Sequence, residues 1–254
     1  VGTTEYSIGD IKEQDFNFSA PLDMTNVSVN YDTEWLLNYW KTGDVGDVFR
    51  NNVKQALSTA EPGFSFNFFD KENETLRNAC TEVTSDSDSD VCNLGSVNLG
   101  RIDTISEFTD IVHLATKFLL CGTLKAKLPY KKIYEVREKN RRLGLGLMGM
   151  HEWLIKRGSK YEVTEELHKW LSVYRGESDR TSRTEADNMS ISRPVANRAI
   201  APTGSIGILA GTSTGVEPIF AVAYKRRYLK NGTRWHYQYV VDSAAQELID
   251  LYGA

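Results

Sequence analysis

The sequence predicts an α/β fold, and three observations carry the prediction. Strand-like runs alternate with helical patterns along the chain. Its 254 residues, 41% hydrophobic and 25% charged, suffice for a packed core and match globular composition. No run of about 18 apolar residues suggests a membrane span. The first residues lack the basic-then-apolar pattern of a secretory signal. A net charge of −4 gives no global pull toward nucleic acid or anionic membrane.

Taken in order, residues 1–20 are polar and unpatterned and read as a loop. From Thr33 to Ala60 apolar residues recur at helical spacing, and Gly43 and Gly46 divide the stretch into two helices. Phe64-Ser65-Phe66-Asn67-Phe68 alternates with period two, as a strand does. Asn73 to Asp90 is polar and reads as a long loop, its Ser85–Asp90 repeat a solvated acidic piece without the distal Glu of a calcium loop. Val91 to Leu99 returns as a strand. Helical patterns then cover about 106–121, 144–157, 162–187 and 241–252. Pro202 and Gly204 mark a turn, and Ile219 to Ala223 is a short strand candidate. No initiator Met is present and the sequence stops just after a helical pattern, so the chain reads as a piece of a longer protein.

Cys80, Cys92 and Cys121 are the three cysteines. So few, without a signal sequence, suggest a reducing compartment, and their spacing fits no metal site. Cys121 ends an apolar helical stretch and reads as a buried core thiol, with His113 as a packing residue. Cys80 and Cys92 lie in polar, loop-like contexts where a reactive thiol gains access.

Four motifs invite chemistry. Gly144-Leu145-Gly146-Leu147-Met148-Gly149 matches a dinucleotide fingerprint in letters. The charged residues Glu138–Arg142 before it cannot form the buried strand that fingerprint needs, so close packing at a helix start is the expected use of these glycines. Tyr224 to His236 interleaves five basic residues with aromatics and reads as a solvated basic surface. Ala201-Pro202-Thr203-Gly204-Ser205-Ile206-Gly207 is either a plain turn or, if a helix starts there, a set of amides and hydroxyls suited to phosphate. Asn78-Ala79-Cys80-Thr81-Glu82 alternates an amide, a thiol and a carboxylate. In an extended loop these three share one face, which suits covalent or radical chemistry on a polyol.

These residues also carry a family likeness. Asn78–Glu82, then Val91-Cys92-Asn93-Leu94-Gly95-Ser96-Val97-Asn98-Leu99, then Ala201–Ser205, then Gly215-Val216-Glu217-Pro218-Ile219-Phe220 follow in that order. The chain resembles the catalytic subunit of ribonucleotide reductases, most like the class II, adenosylcobalamin-dependent branch, from about Asn26 to at least Arg227. The resemblance implies that residues 1–254 are part of a ten-stranded α/β barrel whose central finger loop carries Cys80 at its tip. The N-terminal part with a redox partner cysteine and the C-terminal reducing tail would be absent.

The implied reaction converts ribonucleoside di- or triphosphates to 2′-deoxyribonucleotides for DNA synthesis. Adenosylcobalamin would initiate a radical at Cys80, which takes the 3′ hydrogen. Glu82 would take the 3′-OH proton and Asn78 would hold the ribose. Cys92 would be one half of a reducing dithiol, renewed by a thioredoxin-type reductant. Pro202, Thr203, Gly204, Ser205 and Ile206 would grip the substrate phosphates. A nucleotide effector would bind regions outside this chain, a homodimer is compatible, and the expected location is the cytoplasm. No metal ligand, nucleic acid or membrane is implied. Residues 1–254 alone are expected not to turn over. The alternatives are a class I subunit needing a separate radical-generating protein, a nicotinamide dehydrogenase using residues 144–149, and a non-catalytic binding relative. A strand directly before Gly144 would favour the dehydrogenase, and a helix or loop there would exclude it.

Overall fold

The computed structural model describes residues 25–230 and 234–253; the polar stretch 1–20 lies outside them. The chain divides into two compact units, the first ending at Asp88 and the second beginning at Ser89.

In the first unit, β1 (Ser28–Tyr31) leads through α1 (Thr33–Thr42) and α2 (Gly46–Thr59) to β2 (Gly63–Phe66). The strands run parallel, with Ser28 opposite Gly63 and Tyr31 opposite Phe66. Asp32 caps α1 by accepting the Trp35 N–H at 3.0 Å, and Gly43 ends it in the left-handed region at φ 70°. The two-helix expectation is met. An aromatic cluster covers the pair, with the Tyr31 ring 4.9 Å from Trp35 and 5.3 Å from Phe49. The strand predicted over 64–68 forms only in part, ending at Phe66, and the polar residues of that stretch are the buried ones. Ser65 is 4% and Asn67 2% exposed, whereas Phe66 is 46% exposed. The predicted long loop contains a short antiparallel ribbon, β3 (Leu76–Arg77) with β4 (Thr84–Ser85).

The second unit begins with β5 (Asn93–Asn98), α3 (Ile105–Lys125), α4 (Lys131–Asn140) and β6 (Leu143–Met148), again a parallel pair joined by two helices. Thr104 caps α3 by accepting the Glu107 N–H. α5 (Met150–Lys156), α6 (Glu165–Asn188) and α7 (Gly204–Ala210) follow, then the antiparallel pair β7 (Ala223–Lys230) and β8 (Arg234–Val241), and α8 (Ser243–Tyr252). Val97, Leu145 and Leu147 pack with Phe108, Trp153 and Trp170 in one core. The Trp170 ring lies 4.9 Å from both Phe108 and Trp153.

Several expectations are corrected here. The helix expected over 144–157 starts only at Met150, because Leu143–Met148 is a strand buried at every residue. A strand walled in on both faces has no polar face, so its period of two is hidden among neighbouring apolar residues. The charged run before it is the end of α4, a helix the sequence reading missed, and a two-residue link. The strand expected over 219–223 begins only at Ala223 and runs through the basic stretch. There Lys225 sits 4.7 Å from the Tyr237 ring centroid and Arg227 4.3 Å from that of Trp235, so the interleaved aromatics pair with the cations across the strands. Cys121 is exposed, not a core thiol, because it lies on the outer side of α3. His113 does pack between helices, with Nδ1 3.1 Å from Glu177 Oε1 and 2.9 Å from Thr181 Oγ1 on α6.

Among the described residues, β5 has one strand neighbour, β6. Beside it lies an apolar trough of about 570 Å³ bounded by Leu94, Leu114 and Phe118, all exposed. No described helix is long and apolar enough to cross a membrane.

Candidate active site

The turn between β3 and β4 carries Asn78, Cys80 and Glu82. The Asn78 carbonyl accepts the Thr81 N–H at 3.0 Å, and its side-chain Oδ1 accepts the Val83 N–H at 3.1 Å. Thr81 completes the bend at φ 65°. The expected extended geometry is therefore replaced by a tight turn, since a side-chain amide at its first position satisfies the backbone locally. Cys80 is exposed on this turn. Glu82 follows it with Oε2 buried and without a hydrogen-bond partner. A carboxylate oxygen in that state is suited to accept a proton or hydrogen bond from a ligand. Because Oδ1 of Asn78 is engaged, its NH₂ is the group able to donate to a ligand.

Asn78, Ala79 and Thr81 also line a polar cleft of about 260 Å³ with Asn30, Ser65 and Arg77. Sequence reasoning missed this wall. Arg77 Nη2 donates to Asn67 Oδ1 at 2.7 Å and its Nε bonds Ser65 Oγ, while Asn67 Nδ2 bonds Asn30 Oδ1. Partial burial pulls the Arg77 pKa down, with Glu74 acting against it. The available signal was the alternation of residues 64–68, whose polar members face inward.

Cys92 and residues 202–206 belong to the second unit. Cys92 is partly buried just before β5. A Cβ built on Gly144 would stand 2.8 Å from its Sγ and 2.5 Å from Leu94 Cδ2, and one on Gly146 would stand 2.7 Å from the Ala199 carbonyl. These glycines serve close packing, as expected, but within β6 and not at a helix start. Upstream of β6, Asp90 and Arg142 form an ion pair at 2.8 Å with both side chains under a tenth exposed. Asn140 Nδ2 donates to the same carboxylate oxygen at 3.0 Å.

Between the two turn and phosphate-loop readings of Ala201–Gly207, a helix does begin there, α7 at Gly204. Pro202, Gly204, Ser205 and Ile206 are exposed. The first-turn amides have no intrahelical acceptor. Thr203 is buried at φ 51°, uncommon for a β-branched residue. Its hydroxyl was expected to face a ligand, but Oγ1 instead accepts the Gly215 N–H at 2.7 Å. This ties the start of the loop to Gly215-Val216-Glu217-Pro218. Among the described residues no group of three or more His, Cys, Asp or Glu could hold a metal ion.

The glycine stretch is not a dinucleotide site. β6 begins at Leu143, directly before Gly144, so the strand criterion does not exclude the dehydrogenase; what separates the stretch from a dinucleotide fingerprint is that its first two glycines lie inside the strand and not in the turn after it.

Comparison with known proteins agrees with the family likeness. The profile of the family described as "Ribonucleotide reductase, barrel domain" matches residues 28–171 and 193–253. A "Vitamin B12-dependent ribonucleoside-diphosphate reductase" of Thermoplasma acidophilum is 30% identical over 232 residues, covering 79% of this chain and 30% of that protein. A protein of the same name from Mycobacterium tuberculosis is 28% identical over 207 residues, covering 72% of this chain and 28% of that protein. The crystal structure of a B12-dependent, class II ribonucleotide reductase superposes with a TM-score of 0.67 at 15% identity, covering 87% of this chain and 37% of that one. The chain thus spans less than a third of the length of these curated relatives. Its parallel strand pairs with two-helix connections are part of that barrel, and the chain belongs to the ribonucleotide reductase barrel-domain family.

Proposed function

We propose that this chain supplies the radical-bearing turn and part of the substrate site of a class II ribonucleotide reductase. One observation carries the reading. An exposed thiol, Cys80, sits on a tight turn between Asn78 and Glu82, and Glu82 Oε2 is buried without a partner. Adenosylcobalamin, when bound, supplies a carbon radical that can take hydrogen from a thiol. The exposure of Cys80 fits that need. The cleft of about 260 Å³ beside the turn is too small to enclose a corrinoid.

The chain's own groups have defined tasks. The Cys80 sulfur radical takes the 3′ hydrogen atom of the ribose, and Glu82 accepts the 3′-OH proton. The Asn78 NH₂ donates to the ribose hydroxyls. The 2′-OH leaves as water after protonation. A dithiol containing Cys92 gives two electrons and two protons and closes to a disulfide, and Cys80 returns a hydrogen atom to C3′. A thioredoxin-type reductant reopens the disulfide. Amides of Gly204, Ser205 and Ile206 face the 5′-phosphates. The B12-dependent names of the relatives favour this branch over a class I subunit.

The test uses the complete parent chain with dithiothreitol and a ribonucleotide, with and without adenosylcobalamin, beside Cys80→Ser. Deoxyribonucleotide only with the cofactor, and none from Cys80→Ser, is the expected result. Product without cobalamin, or undiminished product from Cys80→Ser, sinks the proposal.

A further inference from the structure

The mechanism leaves the Glu152 carboxylate unused. Glu152, on α5, is 4% exposed. Its Oε2 bonds the hydroxyl of Thr212, whose single proton it shares with Asn98 Oδ1, 3.0 Å from the same oxygen. Asn98 ends β5 and accepts the Gly100 N–H at 3.1 Å. Three segments distant in sequence therefore meet at one hydroxyl. Two glycines leave room for it. A Cβ on Gly100 would stand 2.7 Å from Glu152 Oε2, and Gly149, at φ 72°, would drive one into Asn98 and Thr212.

α5 holds the same segment at two more points. The Gly149 N–H donates to the Ser213 carbonyl at 2.9 Å, and His151 Nδ1 accepts the Ile219 N–H at 2.7 Å. The held segment supports the 202–206 loop from behind. The Thr212 N–H donates to Gly207 O at 2.9 Å and the Gly215 N–H to Thr203 Oγ1 at 2.7 Å. Between them, Ser213 is 9% exposed, its hydroxyl has no hydrogen-bond partner, and it lines a cleft of about 270 Å³. None of residues 202–206 lines that cleft, so the hold on the loop rests on the hydrogen bonds alone.

We infer that Glu152, through Thr212 and Asn98, is a positioning residue that fixes the 202–206 loop for the substrate's phosphates. This rests on the function proposed above. The brace works by geometry. Buried, mutually satisfied polar groups hold one arrangement, and the loop they hold binds an anion without first paying to order itself.

The experiment compares Thr212→Val, which keeps shape but removes the hydroxyl, with Glu152→Ala and Glu152→Gln in the complete parent chain. Hydrogen exchange reads the amides of 201–216, and steady-state reduction reads KM and kcat for the ribonucleotide. Exchange across 201–216 is expected to speed up about tenfold in Thr212→Val and Glu152→Ala, with β5 and β6 unchanged. KM should rise about tenfold with kcat within about threefold, and Glu152→Gln should restore both. Unchanged exchange, acceleration spread over the whole chain, or a loosened loop with an unchanged KM would overturn the inference. A wild-type chain that reduces no ribonucleotide fails the function itself and removes the substrate role of the brace, while exchange at 201–216 still decides whether the brace exists.

Discussion

The two parallel strand pairs share a connection and differ in what they enclose. β1 and β2 turn Ser65 and Asn67 inward and leave Phe66 half out. β5 and β6 enclose Val97, Leu145 and Leu147 in an apolar core. The difference tracks the task of each pair. The first walls a polar cleft beside the Cys80 turn, so its inner face is a hydrogen-bonded set of amides, a hydroxyl and one guanidinium. The second anchors two longer helices and owes its stability to packing. One topology serves as the wall of a site and as a scaffold, and the choice is made by which face of the strand carries the polar residues.

The largest test of this contrast is Leu147→Ala. Leu147 is 1% exposed, and its truncation is expected to cost about 2–5 kcal/mol in urea unfolding. A loss under about 1 kcal/mol would deny β6 its role as scaffold. Next comes Asn67→Ala, which takes one hydrogen-bond partner each from Arg77 and Asn30 and should cost about 1–3 kcal/mol although it removes no apolar surface. If this change were neutral, the polar wall would be ornament and the two pairs would not differ in kind.

The smallest effect concerns acid. Hydrogen bonding from Arg180 holds the Glu177 carboxyl below its ordinary value against the opposing effect of burial, with Thr181 and His113 adding to it. A carboxylate depressed in the fold takes up protons on unfolding, so its stabilisation is present above the ordinary glutamate range and fades as pH falls below it. Glu177→Gln should flatten the acid limb of stability against pH and cost under about 1 kcal/mol at neutral pH.

Much of this was legible in the sequence, for physical reasons that also explain the rest. Helices with one apolar stripe and glycine breaks, such as α1 and α2 around Gly43 and Gly46, declare themselves through period and punctuation. β6 did not, because glycine–leucine alternation with no polar member resembles a helix start when Met150, Trp153 and Leu154 follow. α4 was missed because its mean hydropathy is low, and it is held by the left-handed Arg141 at its C-terminal end and by a buried Arg137 reaching the carbonyls of Thr123 and Ala126. At the site, the order of short motifs named Asn78, Cys80, Glu82, Cys92 and residues 202–206. It could not reveal that Thr203 turns its hydroxyl inward, nor that Glu152 and Asn98 reach Thr212, because those contacts join residues far apart in sequence through side-chain direction alone.

The trough beside β5 bears on how this piece of protein behaves in a tube. An uncovered strand edge flanked by Leu94, Leu114 and Phe118 is a template on which another chain can add a strand. Among the described residues that border combines an open strand edge with exposed apolar side chains, so it is expected to weigh on solubility. Charged replacements of Leu114 and Phe118 on the α3 side, which leave the leucine core under β6 intact, are the direct way to keep it monodisperse at the concentrations spectroscopy requires.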